Sequence, residues 1–138
     1  PLPLYGDGLN VRDWLHVADH CLGIEQVLRR GRIGQIYNIG TGKGFSNIHV
    51  ARMLLHYLKK PPSLIQFVKD RPGHDRRYAM SIARMKKEFG WQPRVDFKKG
   101  FYNLVDWYVA QRFWWEPILH RSKTYRTYYT KQYSRRTS

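Results

Sequence analysis

The hydrophobic positions of this chain change their spacing several times before Phe113. Short runs with apolar residues two apart predict strands over residues 9–17, 33–39 and 64–68. Longer runs with apolar residues three and four apart predict helices. Because strands and helices alternate along the chain, the pattern predicts an α/β fold.

The predicted helices are bounded by residues that commonly start or end helices. Asp19 is predicted to cap the first, Ser46 or Asn47 to open the second, and Ser81 to cap the third, which Gly90 ends. A short extended piece is predicted over residues 95–97, before the last helix. The predicted helices cover residues 20–30, 47–58, 82–89 and 98–113.

Beyond Pro117 the regular spacing of apolar residues ends, and the sequence is rich in Tyr, Thr, Ser, Lys and Arg. From Leu119 onward there are six Lys and Arg residues and no Asp or Glu. We therefore predict one folded lobe over residues 1–118 and a basic, Tyr- and Arg-rich, poorly ordered tail over residues 119–138.

Composition narrows the classes of partner and compartment. The formal charge of +15 falls to +9 without the tail, which favours polyanionic partners, nucleic acid and nucleotide-sugar diphosphates alike. The single cysteine, Cys21, cannot form an internal disulfide, so a reducing, cytoplasmic setting is predicted. No apolar run has the length of a membrane span. The first residue is not Met, and we expect the chain to be part of a longer one.

A dense polar cluster lies at residues 70–78 (DRPGHDRRY), after the third predicted strand and before a helix. Such a position is typical of ligand sites in α/β proteins. Its three arginines suit phosphate and its two aspartates suit sugar hydroxyls. The alternative is a solvated charged loop.

Arg12 is a second candidate for binding an anion. It lies at the start of an apolar run and beside Trp14 along the chain. Arg12 and Arg71 would form a clamp on a diphosphate through charge-assisted hydrogen bonds. The alternative is an ordinary surface pair between Arg12 and Asp13.

The sequence contains no complete motif for nucleotide-phosphate binding, metal binding or catalysis. The loop at residues 40–44 (GTGKG) matches neither the dinucleotide nor the P-loop template, so a tight strand-to-helix turn is predicted, although a helix N-terminus there would suit a phosphate. His16 and His20 are four apart but have no evident third ligand. No tyrosine has a lysine four positions later, and no serine-hydrolase elbow is present. We predict no catalytic residue, cofactor-binding residue or metal ligand.

Several segments together resemble one family. The chain is similar to the C-terminal part of the dTDP-glucose 4,6-dehydratases, which are extended short-chain dehydrogenases/reductases. The resemblance covers residues 1–118 and implies an α/β substrate-binding lobe that lacks most of the N-terminal Rossmann domain. The segments that carry it are residues 1–8 (PLPLYGDG), 10–15 (NVRDWL), 37–40 (YNIG), 70–79 (DRPGHDRRYA), 90–91 (GW) and 114–117 (WWEP).

The resemblance implies a reaction for the complete enzyme. NAD oxidises the sugar at C4, water is eliminated across C5 and C6, and the hydride returns to C6. The NAD-binding glycine motif, the Tyr-x-x-x-Lys pair and the acid/base carboxylates belong to the N-terminal portion in this family. The resemblance therefore implies a homodimeric parent enzyme that uses NAD, and a chain that is inactive alone.

The resemblance also implies which residues bind the dTDP-sugar. Pro3, Leu4 and Tyr5 would line the nucleotide, Arg12 would meet the diphosphate, and Asn47 matches another substrate contact. A closing segment would cover the dTDP moiety, with its arginine near phosphate and its histidine or second aspartate near ribose. That segment consists of Asp70, Arg71, Pro72, Gly73, His74 and Asp75.

The sequence differs from the family pattern at two positions, and two other functions are also compatible with it. His16 stands where these dehydratases often have Tyr, and Ser81 replaces an Asp that begins the next helix. The chain would alternatively belong to another nucleotide-sugar epimerase or dehydratase, such as UDP-glucose 4-epimerase. A non-catalytic module that binds nucleotide sugars or nucleic acid is the alternative of another class, with nucleic acid the less favoured ligand. The motifs leave the base specificity open.

Overall fold

The computed structural model describes residues 1–121 and 123–133. Its strands are β1 (Leu2–Tyr5), β2 (Val11–Asp13), β3 (Gly44–Ser46) and β4 (Ile65–Val68). Its helices are α1 (Val17–Arg30), α2 (Asn47–Tyr57), α3 (Ala83–Phe89), α4 (Phe97–Ala110), α5 (Arg112–Arg121) and α6 (Lys123–Tyr133), with a 3-10 turn at Pro62–Leu64. The α/β class predicted from the spacing of apolar residues is confirmed.

The chain divides into two compact units. The first unit contains Pro1–Leu9, Ile48–His74 and the residues from Tyr102 onward. The second unit contains Asn10–Asn47 and Asp75–Phe101.

The first unit is built on a parallel pair of strands, β1 and β4. Leu2 lies opposite Ile65 and Tyr5 opposite Val68, and the N–H of Gly6 donates to the carbonyl of Val68 at 2.9 Å. The apolar face of α2 supplies most of the core, which agrees with the predicted second helix. The buried apolar side chains of this unit are Ile48, Val50, Ala51, Leu55, Val68 and Val105.

The second unit is organised by β2, which pairs on two sides. β3 runs antiparallel to it, with Val11 opposite Ser46. On the other side, the N–H of Val11 donates to the carbonyl of Arg76, and the N–H of Tyr78 donates to the carbonyl of Val11. The polar cluster is therefore anchored to β2 by backbone hydrogen bonds. The strand predicted over residues 9–17 is shorter in the structure, because the ladder ends at Asp13.

The core of the second unit centres on Met85 and Trp91. Met85 is fully buried, and Trp91 is buried beside α1. Gly23 permits this close packing, since a Cβ there would lie 2.8 Å from Ile39 Cγ2 and 3.1 Å from Trp91 Cζ2. A glycine within a helix costs roughly 0.5–1 kcal/mol relative to alanine, but here it is the only residue that the space admits.

Asp19 does not cap α1, contrary to the sequence prediction. The N-cap is His16, whose Nδ1 accepts from the N–H of Ala18 at 3.2 Å. Asp19 lies in the first turn, is buried, and accepts hydrogen bonds from the N–H groups of Arg94 (3.1 Å) and Val95 (2.9 Å). A short polar side chain near a helix start is typical of a cap. The sequence around Asp19 gives no sign that its carboxylate binds the backbone of residues 94 and 95 instead.

The strand predicted over residues 33–39 is absent from the secondary structure of the described chain. Its Ile36 side chain is 80% exposed, and the carbonyl of Ile36 accepts from Arg84 Nη1 at 2.9 Å. The Tyr37 hydroxyl donates to Glu88 Oε2 at 2.8 Å. Side chains of α3, and not a strand ladder, hold this segment.

The last predicted helix also differs in its bounds. Residues 98–113 were expected to be helical, and α4 spans Phe97–Ala110. Asp96 Oδ1 accepts from the N–H of Lys99 at 2.9 Å, so Asp96 acts as a cap and the predicted extended piece is shorter. The prediction missed this cap because Asp96 falls between two apolar residues at strand-like spacing.

The predicted poorly ordered tail is largely helical where it is described. α5 and α6 cover most of residues 112–133, and α5 continues through Pro117. Residues 122 and 134–138 lie outside the described residues. None of the helices within the two described ranges combines the length and apolar content needed to cross a membrane.

Helix α3 begins and ends close to where the sequence predicts. The N-cap is Ile82 and not the predicted Ser81, although Ser81 Oγ accepts from the N–H of Ala83 at 3.3 Å. Gly90 ends the helix with φ 67°, and its N–H donates to the carbonyl of Lys86. This left-handed conformation is the usual reason for glycine after a helix.

Replacing Gly90 with alanine is expected to lower the free energy of unfolding by about 1 kcal/mol. No atom lies within 4 Å of the added Cβ, so the cost is backbone strain alone. Urea unfolding followed by circular dichroism measures it. Lys87→Ala, on the exposed face of the same helix, is the control and is expected to change stability by less than about 0.5 kcal/mol. Equal stability of Gly90→Ala and the parent chain would contradict the strain argument.

Candidate functional site

The predicted site residues are distributed over both units. The first unit holds Pro3, Leu4, Tyr5, Asp70, Arg71, Pro72, Gly73 and His74. The second unit holds Arg12, Asn47 and Asp75. The structure therefore forms two groups of candidate residues.

The first group is shaped by a tight turn after β4. Pro72 fixes its own φ near −65°, and Gly73 adopts φ +64°, the pairing that a type II turn requires at its two central positions. The turn brings His74 back to Asp70, so that two residues four apart in sequence are in direct contact. Arg71 is exposed at the start of the turn.

Asp70 and His74 form the closest side-chain pair of this group. Asp70 Oδ1 lies 2.6 Å from His74 Nδ1 and also accepts from the N–H of Arg71 at 2.8 Å. The imidazole is only 6% exposed, whereas the carboxylate is 40% exposed. The hydrogen bond from His74 lowers the pKa of Asp70, and this effect outweighs the opposing effect of burial.

Tyr5 completes the first group from the end of β1. Its ring meets the His74 ring edge to face, with centroids 5.7 Å apart and planes at 82°. Gly6 follows, and a Cβ there would lie 3.0 Å from Asp70 Oδ2. Because β1 and β4 are parallel, Tyr5 and the turn lie at the carboxyl ends of adjacent strands, where α/β proteins bind ligands.

The second group is centred on the Arg12 guanidinium. Its Nη2 donates to the carbonyl of Asp75 at 3.0 Å, and its Nη1 donates to the carbonyl of Val11 at 2.7 Å. The guanidinium carbon lies 4.6 Å from the centroid of the Tyr78 ring, within the range of a cation–π interaction. The Tyr78 hydroxyl in turn donates to the Asp75 carboxylate. Arg12 is thus held in one orientation.

Asp13 does not serve as the surface partner that the sequence offered for Arg12. Its carboxylate accepts from the N–H groups of Thr41 at 2.8 Å and Gly42 at 3.2 Å. The clamp predicted between Arg12 and Arg71 stays a prediction, since these residues belong to different units.

The glycine loop at residues 40–44 has its donors engaged by Asp13. Besides the two backbone contacts, the Thr41 hydroxyl lies 2.5 Å from Asp13 Oδ1. A Cβ on Gly40 would lie 2.6 Å from Asp13 Oδ2, so the loop needs glycine to admit this carboxylate. The loop leads into β3 and not directly into a helix, which corrects the predicted strand-to-helix turn. Because a carboxylate already occupies these donors, the loop does not fit the pyrophosphate of NAD.

Asn47 begins α2, and its N–H donates to the carbonyl of Asn10 at 3.0 Å. Asn10 is 2% exposed, and its Nδ2 donates to the carbonyl of Asp75 at 3.2 Å. Sequence reasoning selected neither Asn10 nor Tyr78 as a site residue. The signal for Asn10 was an amide between two apolar residues, and Tyr78 was the aromatic end of the polar cluster.

The amino-acid sequence of most of the chain is similar to that of known proteins. Residues 1–104 match the family model described as GDP-mannose 4,6 dehydratase. The dTDP-glucose 4,6-dehydratase of Streptomyces antibioticus is 48% identical over 120 residues, which are 87% of this chain and 36% of that protein. The chain thus spans about a third of the length of the curated relatives it matches.

Solved structures extend this comparison. The dTDP-glucose 4,6-dehydratase of Bacillus anthracis in complex with NAD superposes with a TM-score of 0.78 at 49% identity, covering 83% of this chain and 36% of that one. The UDP-glucose 4-epimerase of Thermotoga maritima with UDP-glucose gives a TM-score of 0.71 at 25% identity, covering 79% and 35%. The resemblance predicted from the sequence motifs is confirmed.

Proposed function

Because this chain belongs to the GDP-mannose 4,6 dehydratase family and is similar to dTDP-glucose 4,6-dehydratases, we propose that it forms the nucleotide-sugar-binding part of such a dehydratase. The complete enzyme converts dTDP-glucose to dTDP-4-keto-6-deoxyglucose and water, a step of deoxysugar biosynthesis. This chain binds the dTDP moiety and does not turn the substrate over alone.

One observation carries this proposal. Tyr5, Asp70 and His74 lie at the carboxyl ends of two parallel strands, and the His74 side chain contacts both Tyr5 and Asp70. An ordered aromatic ring, an imidazole and a nearby exposed arginine suit a base, a ribose and a phosphate respectively. In this assignment Pro3, Leu4 and Tyr5 line the nucleotide.

For the complete enzyme, the resemblance to these dehydratases supports Arg12 as a cation for the diphosphate. Arg12 is oriented by Asp75 and Tyr78, so little rotamer freedom is lost when an anion binds. The Asp75 carbonyl and carboxylate are both used within this group, which favours His74 over Asp75 as the residue near ribose. Asn47 is retained as a substrate contact.

The hydride carrier of the complete enzyme is NAD in this proposal. The complex of the Bacillus anthracis relative with NAD supports the assignment for the parent enzyme. NAD supplies reversible oxidation at the sugar C4. In this proposal the chain binds only the nucleotide part of the substrate. The parent enzyme is proposed to be a homodimer.

Calorimetric titration of the chain with dTDP and with dTDP-glucose tests the proposal. We expect both ligands to bind, and we expect no 4-keto product when dTDP-glucose and NAD are incubated with the chain. Absence of heat with dTDP and with UDP would refute a nucleotide-sugar site. Turnover of dTDP-glucose would refute the statement that this chain is inactive alone.

A second candidate is a UDP-sugar ligand in the same site. The Thermotoga maritima epimerase with UDP-glucose supports it, since that fold matches at a TM-score of 0.71. Both nucleotides share the diphosphate and differ in the base methyl group and the ribose 2′-hydroxyl. Titration with UDP separates the candidates: tighter binding of UDP than of dTDP would replace dTDP as the ligand.

A further inference from the structure

We propose that α6 is a binding surface for single-stranded nucleic acid, in which the ring of Tyr128 stacks on a base while Arg126 and Lys131 contact the flanking phosphates. The inference does not rest on the proposed function, because α6 lies beyond residues 1–104, which match the family model. It concerns a segment that the sequence predicted to be a poorly ordered tail and that forms a helix in the structure.

The charged residues of this segment are all of one sign. Residues 119–138 contain six Lys and Arg residues and no Asp or Glu. Within α6, the side chains of Arg126 and Lys131 are exposed. A segment that carries only positive charge is complementary to the repeating negative charge of a nucleic-acid backbone.

Three tyrosines of α6 line one side of the helix. Tyr128 and Tyr129 follow Tyr125 by three and four residues, the spacing that makes side chains neighbours on a helix surface. The rings of Tyr125 and Tyr129 contact each other, with centroids 6.1 Å apart and planes at 33°. Tyr128 is the most exposed of the three, at 61%, so its ring is accessible to a ligand.

A cation borders this aromatic side on each edge. Lys131 follows Tyr128 by three residues, and Arg126 precedes Tyr129 by three residues, so each cation neighbours one ring on the helix surface. With 3.6 residues per turn, the tyrosines lie between the two cations around the helix. Single strands bind in this way, because their bases stack on aromatic rings while cationic side chains follow the backbone.

The composition of α6 favours single-stranded nucleic acid over a lipid surface. A helix that lies in a membrane interface has an apolar face with residues such as Trp, Phe and Leu. Residues 124–131 (TYRTYYTK) contain none of these. Unpaired bases expose their faces for stacking on aromatic side chains, whereas a duplex keeps them stacked on one another, so tyrosine rings favour an unpaired strand.

Fluorescence anisotropy of a short fluorescein-labelled oligothymidylate, titrated with the full chain at low salt, measures the binding. We expect Tyr128→Leu to weaken it by about 5- to 100-fold, because the base loses its stacking partner. Tyr128→Phe retains the ring and is expected to bind like the parent chain. A parent chain that does not bind the oligonucleotide, or equal affinities of Tyr128→Leu and the parent chain, would overturn the proposal. Circular dichroism confirms that each variant keeps its helical content.

The salt dependence of binding separates the role of the ring from that of the cations. For single strands, the logarithm of affinity falls with the logarithm of salt concentration, with a slope of about −0.7 for each phosphate neutralised. Arg126→Ala and Lys131→Ala are each expected to make this slope shallower by about 0.7, whereas Tyr128→Leu leaves it unchanged. Arg52→Ala removes the same charge from an exposed position of α2 and is the matched control. Equal changes of slope in Arg52→Ala and Arg126→Ala would mean that net charge governs binding, and would refute α6 as the surface.

Two competitors distinguish nucleic acid from other anionic partners. Poly-glutamate carries negative charge without bases, and vesicles of phosphatidylcholine and phosphatidylserine present an anionic lipid surface. We expect each to displace the labelled strand at least about tenfold less effectively, per unit of charge, than unlabelled oligothymidylate. Equal displacement by poly-glutamate or by the vesicles would replace nucleic acid as the partner of α6.

Discussion

Replacing Arg12 with alanine is expected to weaken dTDP binding by about 10- to 100-fold. A charge-assisted hydrogen bond contributes about 1.5–3 kcal/mol, and about 1.4 kcal/mol corresponds to a tenfold change in affinity. The change also removes the guanidinium that donates to the carbonyl of Asp75 and lies over the Tyr78 ring, so the contacts that hold the second group together are lost. Calorimetric titration with dTDP measures the loss.

Two variants show whether this loss is specific. Arg12→Lys keeps the charge but lacks the planar fork, so an intermediate affinity is expected. Arg52→Ala removes an exposed arginine from α2, and we expect it to change dTDP affinity by less than about threefold. Equal losses in Arg12→Ala and Arg52→Ala would mean that net charge, and not the oriented guanidinium, governs binding.

Replacing Asp19 with alanine is expected to lower the free energy of unfolding by about 2–4 kcal/mol. The change leaves the N–H groups of Arg94 and Val95 without their acceptor, and an unsatisfied buried donor costs about 1–3 kcal/mol. Urea unfolding followed by circular dichroism measures the change. Amide exchange of Arg94 and Val95 would accelerate in the same variant if these bonds are the cause.

The controls for this prediction use the same residue type. Asp19→Asn retains one side-chain oxygen and is expected to lose less stability than Asp19→Ala. Asp96→Ala removes an exposed aspartate that accepts from Lys99, and we expect a cost of about 1 kcal/mol, typical of a helix cap. A cost for Asp19→Ala no greater than that for Asp96→Ala would contradict a structural role for the buried carboxylate.

The elements that the sequence predicted well are those whose signals are local. Helix α3 ends at a Gly in a left-handed conformation, as predicted, whereas its N-cap is Ile82 and the predicted cap, Ser81, lies one residue earlier and accepts from the N–H of Ala83. The apolar face of α2 is likewise buried. Residues 33–39 failed because spacing records which side chains are apolar and not whether a neighbouring strand is available for pairing. Their Ile36 is exposed, and side chains of α3 hold the segment.

The candidate site divides in the same way. Arg12 and the Pro-Gly turn were found because charge and turn chemistry are visible in a few adjacent letters. The contact between Asp70 and His74 could have been anticipated from that turn. The roles of Asn10 and Asp13 could not, because their partners Asp75 and Thr41 lie far along the chain. The burial that makes these contacts important is a property of the folded state.

The Asp13 carboxylate in the glycine loop has a further consequence for selectivity. A tethered group competes with free solutes at an effective concentration of millimolar or more, set by its geometry and not by the cell. The backbone donors of Thr41 and Gly42 therefore meet an internal anion at every concentration of free phosphate or nucleotide. These two donors are therefore expected not to compete with the proposed nucleotide-sugar site for its ligand.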